Sequence, residues 1–252
     1  MRNIGYILVF LISTITYAQN NLLFDEANAL YNEANYTEAL EKYKTILDSG
    51  EHSAELYFNM ANAHYKLNHI APSIYYYEKA LLLKPHDKDI NNNIAFARNM
   101  TVDAIDTVPE VGISKLVKNA TNTLSFDVWA KMSVAFIAFF VVLFIAYYFT
   151  YSTSKKRLAF VTSNVSLLLA IVSLAFAFHK FKLDSNNQPA IVFAQESKIK
   201  SEPNLRSEEA FVLHEGTKVQ VLDSVNNWKK IKLSDGKTGW IIENDIKIVK
   251  NF

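Results

Sequence analysis

The sequence predicts a multidomain chain: an all-α helical-repeat array, a two-helix transmembrane hairpin and a small all-β barrel, in that order from the N-terminus. Three observations carry this reading. The segment up to about residue 100 is self-similar at a shift of 34 residues, two later runs of 20 and 21 residues carry no charge, and beyond Leu183 the apolar period falls from 3.6 to 2.

Aligning Ala39 with Ser73 sets the repeat shift, which places Phe24 on Phe58, Ala27 on Ala61, Asn28 on Asn62, Tyr31 on Tyr65, Tyr43 on Tyr77 and Leu47 on Leu81. Each unit reads as two amphipathic helices around a turn, Ala34-Asn35-Tyr36 in the first and Asn68-His69-Ile70 in the second. Pro72 falls at a helix start, where its missing N–H costs nothing, and Pro85 ends the second unit. Lys88 to Met100 reads as the first helix of a third unit, with Ile90, Ile94 and Ala97 apolar. Such units bury a core only by stacking, so two and a half repeats over 19–100 imply a last helix that caps the stack or a partner that completes it.

The first 18 residues read as an export signal. Arg2 supplies the positive end, Ile4 to Ile15 the apolar stretch, and Thr16-Tyr17-Ala18 the small residues before a cut ahead of Gln19. The two uncharged runs, Met132 to Tyr151 and Leu158 to Phe178, are each about 30 Å long as helices, enough to span a bilayer. Ser152 to Arg157 joins them, so they are expected as antiparallel neighbours within 128–182. Export of the repeats, together with Lys155, Lys156 and Arg157 in the link, orients that link to the cytoplasm and both soluble parts to the periplasmic face of a bacterial inner membrane. Along the second run Ser163, Ser166, Ala170, Ser173 and Ala177 form a small-residue stripe, expected to meet Ala135, Ala138, Val142 and Ala146 of the first.

Residues 101–127 read as a connector, with Asp103, Asp106 and Pro109 breaking the helical pattern. Ile113, Leu116, Val117 and Ala120 then share one face opposite Lys115, Lys118 and Asn119. That helix suits either the membrane interface, with Phe126 and Trp129 at headgroup level, or packing on the repeats. In 189–252, Lys218 to Leu222, Trp228 to Leu233 and Thr238 to Ile242 alternate as strands, with turns at Asn226-Asn227 and Ser234-Asp235-Gly236-Lys237.

Composition narrows the function. A net charge of +1 offers no field for nucleic acid, and the absence of cysteine removes disulfides, thiolate metal sites and Cys nucleophiles. Six glycines leave little for phosphate-cradling loops, and no GxSxG, P-loop or paired-carboxylate pattern stands out. The six histidines are scattered, and His64 and His69 are spaced wrongly for two metal ligands on one helical face. No residue is assigned a catalytic, metal or cofactor role, and the chain is expected not to be an enzyme.

Ala27, Tyr36, Ala39, Tyr43 and Leu47, then Ala61, Tyr65, Tyr77, Ala80, Leu81 and Pro85, resemble the tetratricopeptide repeat, with Ser73 departing from the family's alanine. The resemblance implies a concave groove lined by the first helix of each unit: Phe24, Asn28, Tyr31, Phe58, Asn59, Asn62, Tyr65 and Lys66. Carboxamides there both donate and accept, as an extended peptide requires. Relatives that clamp a C-terminal carboxylate add cations where Phe24, Asp89 and Asn93 stand here, which implies an internal apolar or aromatic segment as ligand. Glu215 to Val219, Trp228 and Asp235-Gly236-Lys237-Thr238-Gly239-Trp240 resemble the bacterial SH3 domain, whose members bind peptides or cell-wall material. Lys198 to Pro203 departs from that family's usual stretch, and Trp240 is expected in the barrel core.

The whole order is similar to members of the Bacteroides-aerotolerance (Bat) group, which accompany a MoxR-type ATPase and von Willebrand A domain membrane proteins. That resemblance implies a non-enzymatic scaffold in an envelope stress (aerotolerance) complex. The alternative is a cell-wall receptor whose SH3-like domain grips peptidoglycan while the repeats recruit a hydrolase.

Overall fold

The computed structural model describes residues 20–105 and 112–250. The chain divides into two compact units, one of the repeats with the C-terminal sheet and one of residues 108–187. The export segment, Asp106 and Pro109 lie outside the described residues.

In the first unit α1 covers residues 20–32, followed by α2 (Tyr36–Asp48), α3 (Ala54–Lys66), α4 (Ile70–Leu83) and α5 (Lys88–Arg98). The two inter-helix turns repeat each other: Ala34 and Asn68 both take the left-handed conformation, at φ 64° and 59°. Ser53 caps α3 by accepting the Leu56 N–H, and Asp87 caps α5 through the N–H groups of Asp89 and Ile90. Small alanines let the helices close up. Ala27, Ala39, Tyr43, Ile46, Leu56 and Met60 form one buried cluster, and Tyr57, Ala61, Ile74, Tyr77, Ala80, Ile90 and Ile94 belong to the next. The family departure at Ser73 is satisfied in place, because its buried hydroxyl donates to the Ala61 carbonyl at 3.0 Å.

The C-terminal residues form an antiparallel sheet of seven strands among the described residues: β1 (Gln188–Val192), β2 (Glu196–Lys200), β3 (Glu209–His214), β4 (Lys218–Val225), β5 (Trp228–Lys232), β6 (Thr238–Ile242) and β7 (Ile246–Ile248). The spatial order is β3-β2-β6-β5-β4-β1-β7, and residues from every strand enclose one core. The three strands expected from periodicity are present. Asn226 at φ 52° makes the β4–β5 turn.

Trp240 is not in that core. Along β6 it is Gly239 and Ile241 that point inward, so Trp240 faces outward beside Lys230, 5.9 Å from its ring centroid. Gly239 takes the inward place because a Cβ there would run into the Ile199 side chain. The buried tryptophan is Trp228.

In the second unit α6 (Ile113–Asn122) precedes α7 (Phe126–Phe149) and α8 (Thr153–Asn186). The last two are long and apolar enough to cross a membrane by length and composition. They are antiparallel neighbours, as ring pairs Phe126–Phe181, Trp129–Phe176 and Tyr147–Phe160 show. The buried residues of α8 are the five of the small-residue stripe. Their partners are not the expected ones: Ala135, Ala138, Val142 and Ala146 are exposed, and the α7 face holds Trp129, Ser133, Phe136, Phe140, Leu143 and Tyr147. Small residues on one helix receive large ones from the other, and serines fasten the seam. Ser133 Oγ donates to the Ala170 carbonyl at 2.9 Å and Ser166 Oγ to that of Phe136 at 2.7 Å. The expected six-residue link is shorter in the structure. Only Thr150, Tyr151 and Ser152 separate the helices, and Lys155, Lys156 and Arg157 lie in the first turns of α8.

Within this unit α6 packs on α8, while Ile113 and Leu116 on its apolar face stay exposed.

Candidate functional site

The repeats carry a cavity of about 240 Å³ lined by Tyr31, Asn62, Tyr65, Lys66, Tyr77, Asn93 and Phe96. Four of the expected groove residues, Tyr31, Asn62, Tyr65 and Lys66, therefore meet at one site. Phe24, Asn28, Phe58 and Asn59 do not line it. Phe24 packs on Tyr43, and Phe58 on Tyr77, with ring centroids 5.9 and 6.0 Å apart.

Phe96 was not foreseen, although the signal was present. One more shift of 34 residues from Asn62 reaches Phe96, on the first helix of the third unit. It is 61% exposed, so it offers a bare ring at the rim of the cavity. With Tyr31, Tyr65 and Lys66 the lining is aromatic and cationic, and no carboxylate belongs to it. Burial raises the pKa of the Tyr31 and Tyr77 phenols, so both are neutral donors at physiological pH.

The asparagines serve the stack. Tyr43 Oη donates to Asn28 Oδ1 at 2.7 Å while Asn59 Nδ2 donates to the same oxygen at 2.8 Å. One unit later Tyr77 Oη and Asn93 Nδ2 donate to Asn62 Oδ1 at 2.5 and 3.0 Å. Each carboxamide oxygen thus ties the second helix of its own unit to the first helix of the next. The asparagine repeat has a structural cause beside any ligand contact.

The sheet is fastened to the repeats within the same unit, a joint that sequence reasoning missed. Ile191 and Val249 belong to the α4 cluster, and Phe193 stands edge-on to Tyr75 with centroids 5.6 Å apart. Glu78, only 6% exposed, accepts from Arg98 and from Lys218, each at 2.7 Å. Asp103 Oδ2 accepts the His214 N–H at 2.7 Å and the Thr217 hydroxyl at 2.6 Å, while His214 Nδ1 lies 2.7 Å from Oδ1. Burial works to raise the Asp103 carboxyl, but the bonds from Thr217 and His214 outweigh it and hold the group below its ordinary value. The Asp103 carboxyl is therefore ionised at neutral pH.

His64 and His69 come together despite their spacing, because one is on α3 and the other ends the turn before α4; their Nδ1 atoms are 3.2 Å apart. Burial, with His69 and Lys247 adding to it, pushes His64 down to about 4. His64 is neutral at physiological pH and stacks on Tyr76 at 5.5 Å.

The tetratricopeptide repeat model matches residues 54–87, which span α3, its turn and α4, and the bacterial SH3 domain model matches residues 197–247. Those residues thus match a tetratricopeptide repeat and a bacterial SH3 domain. β1 and Val249, which supply much of the joint to α4, lie outside the SH3 match. No curated protein matches. Among solved structures the chain is similar to an NlpC/P60 family protein from Bacillus cereus, with 16% identity and a TM-score of 0.22, over 28% of this chain and 23% of that one.

Proposed function

We propose that this chain is a non-enzymatic, membrane-anchored scaffold that presents its repeat groove to partner proteins on the periplasmic side of a bacterial inner membrane. The observation that carries the scaffold reading is the open, aromatic-rimmed cavity of Tyr31, Tyr65, Lys66 and Phe96, set in a repeat array that the SH3 domain braces. Its ligand is an internal protein segment with apolar or aromatic side chains, because the rim supplies rings and one cation and lacks a carboxylate clamp. The order of modules favours a BatE-like member of the Bat group, with von Willebrand A domain membrane proteins and a MoxR-type ATPase system as its associates.

The joint between repeats and sheet supports the placement. The two parts share a core although the whole hairpin lies between them in sequence, which favours both lying on one side of the membrane. An even number of spans returns the chain to the side it left.

Two measurements test these readings. Phe96→Ala with Lys66→Glu is expected to cut recovery of co-purifying proteins from solubilised membranes by about tenfold, the scale of one lost aromatic anchor, with little change in melting temperature because both side chains are exposed. Unchanged recovery would move the docking surface off the groove. For the topology, the absence of cysteine gives a clean background. Single cysteines at Asn122 and Ser185 are expected to react with an impermeant maleimide once the outer membrane is opened, and one at Ser154 to stay unlabelled. Labelling at position 154 alone reverses the orientation.

A further inference from the structure

We propose that the turn of the α7–α8 hairpin binds the phosphate headgroup of an anionic phospholipid, an inference that rests on those helices crossing a membrane. A cavity of about 320 Å³ opens there, lined by Tyr147, Tyr151, Thr153, Lys156, Arg157 and Phe160. That volume is at the lower end of ligand pockets. Its walls are of two kinds. Three aromatic rings come from the end of α7, the turn and the start of α8, while Lys156, Arg157 and the Thr153 hydroxyl supply donors. The Lys156 ammonium lies 5.1 Å from the Tyr147 ring centroid, and that ring is 5.4 Å from Phe160, so the cation is held against the cavity wall.

The positive charge at this end of the hairpin has no acidic residue near it in sequence: the acids of α7 and α8, Asp127 and Asp184, stand at their other ends. Lys155, Lys156 and Arg157 are consecutive, and from residue 128 to residue 183 the sequence contains neither Asp nor Glu. A compensating anion must come from outside this segment, and the phosphates of an anionic leaflet meet cations at the ends of spanning helices. The aromatic half of the lining selects the lipid over a free anion. Inorganic phosphate would engage Lys156 and Arg157 and leave the rings without a partner, whereas a lipid continues from its phosphate onto the exposed apolar surface of Phe149, Leu158 and Val161.

The test uses the full chain in detergent, titrated with dioleoyl-phosphatidylglycerol and, separately, with the phosphatidylcholine of the same acyl chains; bound lipid is counted by native mass spectrometry. Phosphatidylglycerol is expected to bind in preference, K156Q/R157Q to weaken it about tenfold or more, and both K156R/R157K and the charge-matched K44Q/K232Q to retain it. Equal binding of the two lipids, undiminished binding by K156Q/R157Q, or displacement of the lipid by an equal concentration of inorganic phosphate would each overturn the site. Alkaline carbonate extraction of membranes separates this from its premise. If the wild-type chain is released, the spanning reading and the lipid site fall together; if it stays while K156Q/R157Q binds lipid normally, only the headgroup site falls.

Discussion

Gly216→Val is expected to cost about 3–5 kcal/mol and to loosen the SH3 domain from the repeats, whereas Gly236→Val should cost only about 1–3 kcal/mol. Both glycines take left-handed backbone, at φ 85° and 93°, so a β-branched residue is strained at either, by about 1–3 kcal/mol. They differ in what surrounds them. A Cβ on Gly236 meets nothing within 4 Å, but on Gly216 it would stand 2.8 Å from Thr101 Cγ2, 2.9 Å from Ile70 Cγ2 and 3.1 Å from Ile74 Cδ1. Forcing extra atoms into such a contact adds about 1–3 kcal/mol, and it pushes on the segment that holds Asp103 against His214 and Thr217. The difference between the two variants therefore measures the joint and not the turn. Hydrogen exchange should rise in β1 and α4 of the Gly216 variant alone. Equal destabilisation by both substitutions, with no added exchange at β1, would mean that the joint contributes nothing to stability.

That joint is also where the sequence was silent, for a physical reason. Ile191, Val249 and Gly216 read as ordinary strand and turn residues, and their partners Ile70 and Ile74 lie more than a hundred positions away. Nothing in a local period encodes such a pairing. β1 was hidden further by Pro189 and by its start right after a long helix, and β3 by a burial pattern that hardly alternates. The repeats were legible because the same contacts recur after 34 residues, so that Asn28 with Tyr43 announces Asn62 with Tyr77. Strand alternation around Gly239 and Ile241 already places Trp240 outward. On the hairpin, a small-residue stripe permits close approach by whatever faces it, and here the α7 aromatics fill the space that matching alanines would have left open.

Asn62→Ala tests the structural role of the asparagine ladder and is expected to cost about 2 kcal/mol. The substitution deletes one acceptor shared by two donors, Tyr77 Oη and Asn93 Nδ2. Tyr77 is 1% exposed, so its hydroxyl would be left in the stack without its acceptor; stranding a buried donor costs about 1–3 kcal/mol. The neighbouring cavity, which Tyr77 and Asn93 both line, can admit water to the orphaned groups and keeps the cost from the top of that range. Tyr77→Phe removes the hydroxyl itself and should cost about 1 kcal/mol, the net worth of an ordinary hydrogen bond. The double variant should then be less destabilised than the sum of the two, since the hydroxyl that Asn62→Ala strands is no longer present. Thermal unfolding of the detergent-solubilised chain, followed by circular dichroism, should show Asn62→Ala lowering the midpoint by about 4–8 °C. Strict additivity across the cycle, or an Asn62→Ala variant that melts with the wild type while losing its partners, would return the asparagines to the ligand.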